Sequence, residues 1–119
     1  MSKDKWASAL VVTLLILGLA LGASAGEVHR IILKAKKFEW NPPRIEVKVG
    51  EPVELVLNSE DRKHGFHCEG LGLGKVTFSK DKSTTLTFTP ESPGTYPFRC
   101  SRFCGTGHRR MKGEIVVVP

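Results

Sequence analysis

Residues 26–119 are predicted to form an all-β sandwich or Greek-key barrel of about seven or eight strands, preceded by one apolar N-terminal helix. Three observations point there. From Glu27 onward no stretch carries a helical period. Short segments alternate apolar and polar residues with a period of two. Turn residues punctuate them at Asn41-Pro42-Pro43, Gly50-Glu51 and Ser92-Pro93-Gly94. The chain has 119 residues, room for one core only. It contains no Gly-rich strand-to-helix fingerprint and no GxxxxGK[ST], so a nucleotide-binding enzyme is excluded.

The N-terminus comes first. Met1–Lys5 is basic, Ala7–Ala25 is uncharged, and Ala23-Ser24-Ala25 precedes Gly26. This is the layout of a secretory signal peptide. The same run is also long enough to cross a hydrocarbon core of roughly 30 Å as a retained anchor, with Lys3 and Lys5 inside. Both readings divide the chain into 1–25, signal peptide or single membrane anchor, and 26–119, the folded domain. Both place that domain in the periplasm or elsewhere outside the cytoplasmic membrane. Lys3, Lys5 and Asp4 fall in the leader, leaving 16 basic against 11 acidic residues in the domain. Export and the lack of an aromatic-basic ladder argue against nucleic acid as the partner. A basic docking face for an acidic protein is the better use of the charge.

The strands follow in order. Val28–Leu33 is apolar and β-branched, while Glu27 to Lys37 as a whole alternates poorly and its charges read as a solvated face. Arg44–Val49 sets Ile45, Val47 and Val49 against Arg44, Glu46 and Lys48. Pro52–Asn58 does the same through Val53, Leu55 and Leu57, interrupted by Val56. Lys75–Phe78, Ser83–Thr89 with Leu86 and Phe88 inward, Gly94–Cys100 and Gly113–Val118 complete the set. The strands are expected to pair antiparallel in two sheets. Trp40 and Phe66 are expected in the core, and His29 on the surface without companion donors.

Chemistry is concentrated near the C-terminus, in Cys100-Ser-Arg-Phe-Cys104-Gly-Thr-Gly-His108-Arg-Arg-Met111. Thiolates and a thioether are soft ligands that favour copper over hard cations, and imidazole suits copper as well. Spacings of four, four and three on a glycine-containing loop let one curled segment turn all four side chains toward a point. A second donor set, His64-Gly-Phe-His67-Cys68, follows the acidic turn Ser59-Glu60-Asp61. If extended, it places His64, Phe66 and Cys68 on one face and His67 on the other. His67 is expected to be exposed or hydrogen-bonded, and Cys68 to be a small buried hydrophobe. The donors leave other uses open: a Cys100–Cys104 disulfide in an oxidising compartment, or a structural zinc on Cys100, Cys104, His108 and His64.

The order of elements, the Phe38…Pro42…Ile45…Val47…Gly50 run, the His64-Gly-Phe-His67 segment and the Cys-x3-Cys-x3-His-x2-Met loop together resemble a cupredoxin. More narrowly, they are similar to the CuA domain of cytochrome c oxidase subunit II and of nitrous oxide reductase. The resemblance covers about Phe38 to Val118. It implies two copper ions bridged by Cys100 and Cys104, with His64 and His108 as terminal ligands. Met111 would be the weak thioether donor and the Arg102 backbone carbonyl the weak oxygen donor. The implied task is one-electron transfer, to or from a respiratory membrane complex or another exported redox protein, with no small-molecule substrate. No turnover is expected of the chain alone, which would at most be an electron-entry subunit of an oxidase. Copper delivery, a mononuclear blue-copper site and a zinc- or disulfide-stabilised interaction module are the alternatives. The chain departs from the family pattern in three ways. Arg102 stands where Glu or Gln is frequent, and Arg99, Arg109, Arg110 and Lys112 crowd the same end, which favours an acidic partner. Cys68 adds a third thiol. One apolar segment precedes the domain, not the helical hairpin of many oxidase subunits.

Overall fold

A computed structural model describes residues 27–119. The expectations for 1–25, signal peptide or anchor and apolar helix, lie outside these residues. Among those described, no helix is long and apolar enough to cross a membrane.

Nine strands form two facing sheets: β1 (His29–Lys36), β2 (Glu39–Asn41), β3 (Arg44–Lys48), β4 (Val53–Ser59), β5 (His64–Cys68), β6 (Leu73–Phe78), β7 (Thr84–Phe88), β8 (Gly94–Arg99) and β9 (Lys112–Val118). One sheet has the order β2-β1-β4-β7 and the other β3-β9-β8-β5-β6. The all-β sandwich expected from the alternation is present, with three differences. The sheets are mixed and not antiparallel, because β1 pairs with β4, and β3 with β9, in parallel. β2 was not expected as a strand, since three residues are too few to display a period. The strand expected over Val28–Leu33 runs on to Lys36 as β1, with Arg30, Lys34 and Lys36 toward solvent as expected and Leu33 and Ala35 buried.

The inward positions of facing strands make the core. In the first sheet Ile31, Leu55 and Leu86 lie in one row across β1, β4 and β7. In the second, Ile45 pairs with Ile115, and Val47 with Val117. Between the sheets an aromatic cluster joins Trp40, Phe66, Phe78 and Phe98. Trp40 meets Phe66 and Phe98 edge-on at centroid distances of 5.9 and 5.3 Å. Such pairs add about 0.5–1.5 kcal/mol each beyond burial. Val56 is buried although it breaks the alternation, and Val49, expected inward, lies just past β3 and is exposed.

One end of the sandwich carries the chemistry. β5 begins there at His64, β8 ends there at Arg99, and β9 begins there at Lys112. The twelve-residue loop between β8 and β9 is closed at its base by the Cys100 N–H donating to the Met111 carbonyl at 3.1 Å. The rigid part of the fold therefore delivers both ends of the loop, and His64, to one place.

Candidate metal centre

Cys100 leaves β8 buried, and its sulfur is 3.4 Å from that of Cys104, too far for a disulfide bond of about 2.05 Å. The loop then curls. The His108 N–H donates to the Gly105 carbonyl at 3.1 Å, and the Met111 N–H to the His108 carbonyl at 3.2 Å, forming a short 3-10 turn over His108–Arg110. That turn brings His108 Nδ1 to 3.6 Å and Met111 Sδ to 3.8 Å from the Cys104 sulfur. From β5, His64 Nδ1 comes to 4.0 Å from the Cys100 sulfur. The Arg102 carbonyl accepts from the Cys100 thiol at 3.1 Å. All six residues expected at the site are brought together. Each thiol faces its own imidazole and its own weaker donor.

The alternation argument for β5 holds. His64, Phe66 and Cys68 are fully buried on one face, while His67 turns outward, where its Nδ1 accepts from Arg99 at 3.4 Å. Cys68 is buried apart from the site, its sulfur 3.9 Å from the Tyr96 carbonyl, and burial pushes its thiol above the ordinary range. His29, expected without companions, is exposed and paired with Glu51 at 2.7 Å.

Three supporting residues were not anticipated. Asp61 Oδ1 accepts from His64 Nε2 at 2.7 Å, which leaves Nδ1 free to face the sulfurs. The carboxylate is itself held by the backbone N–H groups of Lys37 and Arg62, each at 2.7 Å. Arg62 reaches across to the ligand loop, its Nη1 donating to the Cys104 carbonyl at 2.9 Å. Phe38, in the left-handed region at φ 69, lays its ring against Gly105 and Gly107. A Cβ at Gly105 would stand 2.9 Å from that ring, so the loop can seat on it only through glycine. The acidic turn three residues before His64 was the one visible signal for Asp61.

These contacts tune the donors. Burial raises the Asp61 carboxyl, but the hydrogen bonds from His64 and from the backbone of Arg62 and Lys37 outweigh it and hold the group at about 2. Burial lowers His64, and bonding to Cys100 and Asp61 more than reverses this, so the imidazole sits above its usual range. Burial also raises the Cys100 thiol; contact with His64, the backbone of Gly65 and Arg102, and Cys104 brings it below that of a free cysteine. Cys104 moves upward, through burial and then through the neighbouring Cys100. One proton thus leaves the pair readily and the second is retained until a cation offsets the charge, so binding of a metal ion releases protons.

The donor set fits a soft first-row ion. An ion about 2.0–2.3 Å from two ligands holds their atoms about 3.3–4 Å apart, the range of the separations above. The donor atoms of His64, Cys100 and Cys104 lie within 4.8 Å of one another, the one such group among the described residues. Two sulfurs, imidazole and thioether suit copper and give hard cations no oxygen-rich cage.

Comparison with known proteins agrees with this chemistry. Residues 7–117 match the family model described as a cupredoxin-like domain. The chain is 35% identical over 89 residues to cytochrome c oxidase subunit 2 of Thermus thermophilus, covering 75% of this chain and 65% of that protein. It is 31% identical over 98 residues to nitrous-oxide reductase of Stutzerimonas stutzeri, covering 79% of this chain and 15% of the enzyme. The chain thus spans less than two thirds of the length of these relatives. In fold it is similar to the periplasmic domain of subunit II of cytochrome oxidase from Bradyrhizobium japonicum, with a TM-score of 0.68 at 18% identity over 76% of this chain and 83% of that one.

Proposed function

The chain belongs to the cupredoxin-like family, and on that premise we propose that it is an exported electron-transfer protein with a binuclear, CuA-type copper centre. One observation carries the reading: two unbonded thiols 3.4 Å apart, with a histidine nitrogen 4.0 Å from the Cys100 sulfur and another 3.6 Å from that of Cys104. A mononuclear blue-copper site has no use for the second thiol, and a structural zinc has none for Met111. When bound, a copper pair supplies a carrier of one electron.

The protein's own residues do the rest. Cys100 and Cys104 would supply two soft anionic donors to the copper. His64 and His108 supply one nitrogen each, and Met111 and the Arg102 carbonyl the weak donors. Asp61 holds the His64 ring, Arg62 and Phe38 hold the loop, and the sheets hold both. With His64 braced by Asp61 and the loop by Arg62 and Phe38, little moves when the charge at the site changes, which is what rapid electron exchange requires. Similarity to oxidase subunit II supports a place beside a respiratory complex. The leader pattern, with the periplasmic location of the Bradyrhizobium domain, supports an extracytoplasmic one.

Copper stoichiometry with EPR on the thiol-reduced, copper-reconstituted protein tests this. Two coppers per chain sharing one unpaired electron are expected, and Cys100→Ser or His108→Ala should abolish that signal. One copper with a localised spectrum, preferential retention of zinc, or ready loss of Cu(I) to a chelator would overturn the assignment.

A further inference from the structure

The ligand loop has an outer side that the metal donors do not use. Phe103, between Arg102 and Cys104, is 74% exposed, more than any other large apolar side chain among the described residues. Its ring lies 5.7 Å from that of His108, centroid to centroid. Arg62, Lys63 and Arg102 line one shallow depression with Phe103, and Arg109 and Arg110 are exposed on the adjoining 3-10 turn. Among the described residues, ion pairs with carboxylates are made by Arg44, His29 and His64, and by none of these five cations. The acidic groups on the preceding turn are Glu60 and Asp61, and Asp61 is engaged by His64.

An apolar centre within a polar, charged rim is the anatomy of a protein interface. Here the rim has one sign. Such a rim repels a basic protein and steers an acidic one into contact. We propose that Phe103 and its surrounding cations form the docking face for an acidic redox protein, one whose cofactor edge is ringed by carboxylates. The contact nearest the metal donors is then the Phe103–His108 pair. This rests on the copper reading above. The step moves one electron and no atom: the partner's cofactor is oxidised by one electron and the copper centre is reduced by one, or the reverse.

A basic cytochrome c and its succinylated form offer the same haem with opposite surface charge. Each, reduced, is mixed by stopped flow with the oxidised copper-loaded protein across a salt series. With the succinylated form the bimolecular rate should fall about tenfold between about 10 and about 200 mM salt, and with the native form it should rise. Lys63→Glu with Arg109→Glu should flatten both trends, while Phe103→Ala should lower the rate and keep the salt dependence. Copper content and absorption spectrum of each variant separate loss of docking from loss of the centre. Salt trends equal for the two cytochromes, or variants without effect, would overturn the proposal while leaving the copper assignment standing. A second arm needs no copper. In the ¹⁵N-labelled metal-free protein, succinylated cytochrome should shift amides around Phe103, Lys63 and Arg109. If the protein takes up no copper pair, those shifts support the docking face alone, and their absence removes it. Response of the same amides to phosphatidylglycerol vesicles and not to the cytochrome would assign the face to a membrane and overturn the proposal.

Discussion

Asp61 illustrates how one side chain outside the donor set governs the site. His64 is fully buried, and its Nε2–H has a single acceptor, the Asp61 carboxylate. Remove that oxygen and the ring is both unsatisfied and free to turn. Asp61→Ala is therefore expected to cost about 1–3 kcal/mol of stability and about 10–100-fold in copper affinity. Asp61→Asn, which keeps an acceptor oxygen, should recover part of both losses. Urea unfolding and competition with a copper chelator measure the two effects, and equal affinity for Asp61→Ala and the parent protein would show that the bond does not orient His64. Cys100, Cys104, His108 and Met111 stood out by residue type and spacing, because softness is a property of the residue itself, whereas the Arg102 carbonyl came only from the resemblance. Asp61 did not stand out, since its role depends on a turn that folds Ser59–Arg62 back over the histidine.

Among the strands, β5 meets the ligand loop more closely than any side chain allows. A Cβ on Gly65 would stand 2.8 Å from the Arg102 backbone nitrogen and closer still to the Ser101 hydroxyl. Gly65→Ala should push the loop off β5, at about 1–3 kcal/mol, and separate His64 from Cys100. Gly74→Ala on β6 meets nothing within 4 Å and serves as the control. Comparable stability and copper binding for the two variants would show that the loop has room to shift. Pattern along the chain revealed β3 and β7, whose apolar positions alternate cleanly, and also β4 and β9, where Val56 and the run Ile115–Val118 break the alternation. It missed β2, which owes its existence to pairing with Lys34–Lys36. The parallel pairing of β1 with β4 and of β3 with β9 has no signature along the chain, because a half-buried strand alternates in the same way whichever direction its neighbour runs.

The whole molecule has a further sensitivity in Cys68, buried in the core far along β5 from the ligands. Burial raises its pKa above the ordinary 9.0. Above pH 9 the unfolded chain loses this proton while the folded one keeps it, so the native state binds more protons and stability falls as pH rises. Below pH 9 both states are protonated and the penalty vanishes. Cys68→Ala should accordingly lose less stability than the parent between about pH 8 and about pH 10.5, by at most about 1.4 kcal/mol per pH unit. Urea unfolding across that range checks it, and parallel slopes for the two proteins would mean that the thiol ionises within the fold.

Composition and pattern along the chain were enough for an all-β sandwich, for the end of the chain where its chemistry lies, and for a soft-metal donor set. Alternation reports which face of a strand meets the core, and donor softness does not depend on folding. Convergence was another matter. His64 and Cys100 are 36 residues apart, and their approach to 4.0 Å requires β5 to lie beside β8 in the second sheet. The Asp61 brace, the Phe38 ring under the loop glycines and the exposure of Phe103 likewise depend on which surfaces pack together. Those are long-range contacts, and a local sequence pattern does not encode a distance between segments that meet only in the folded state.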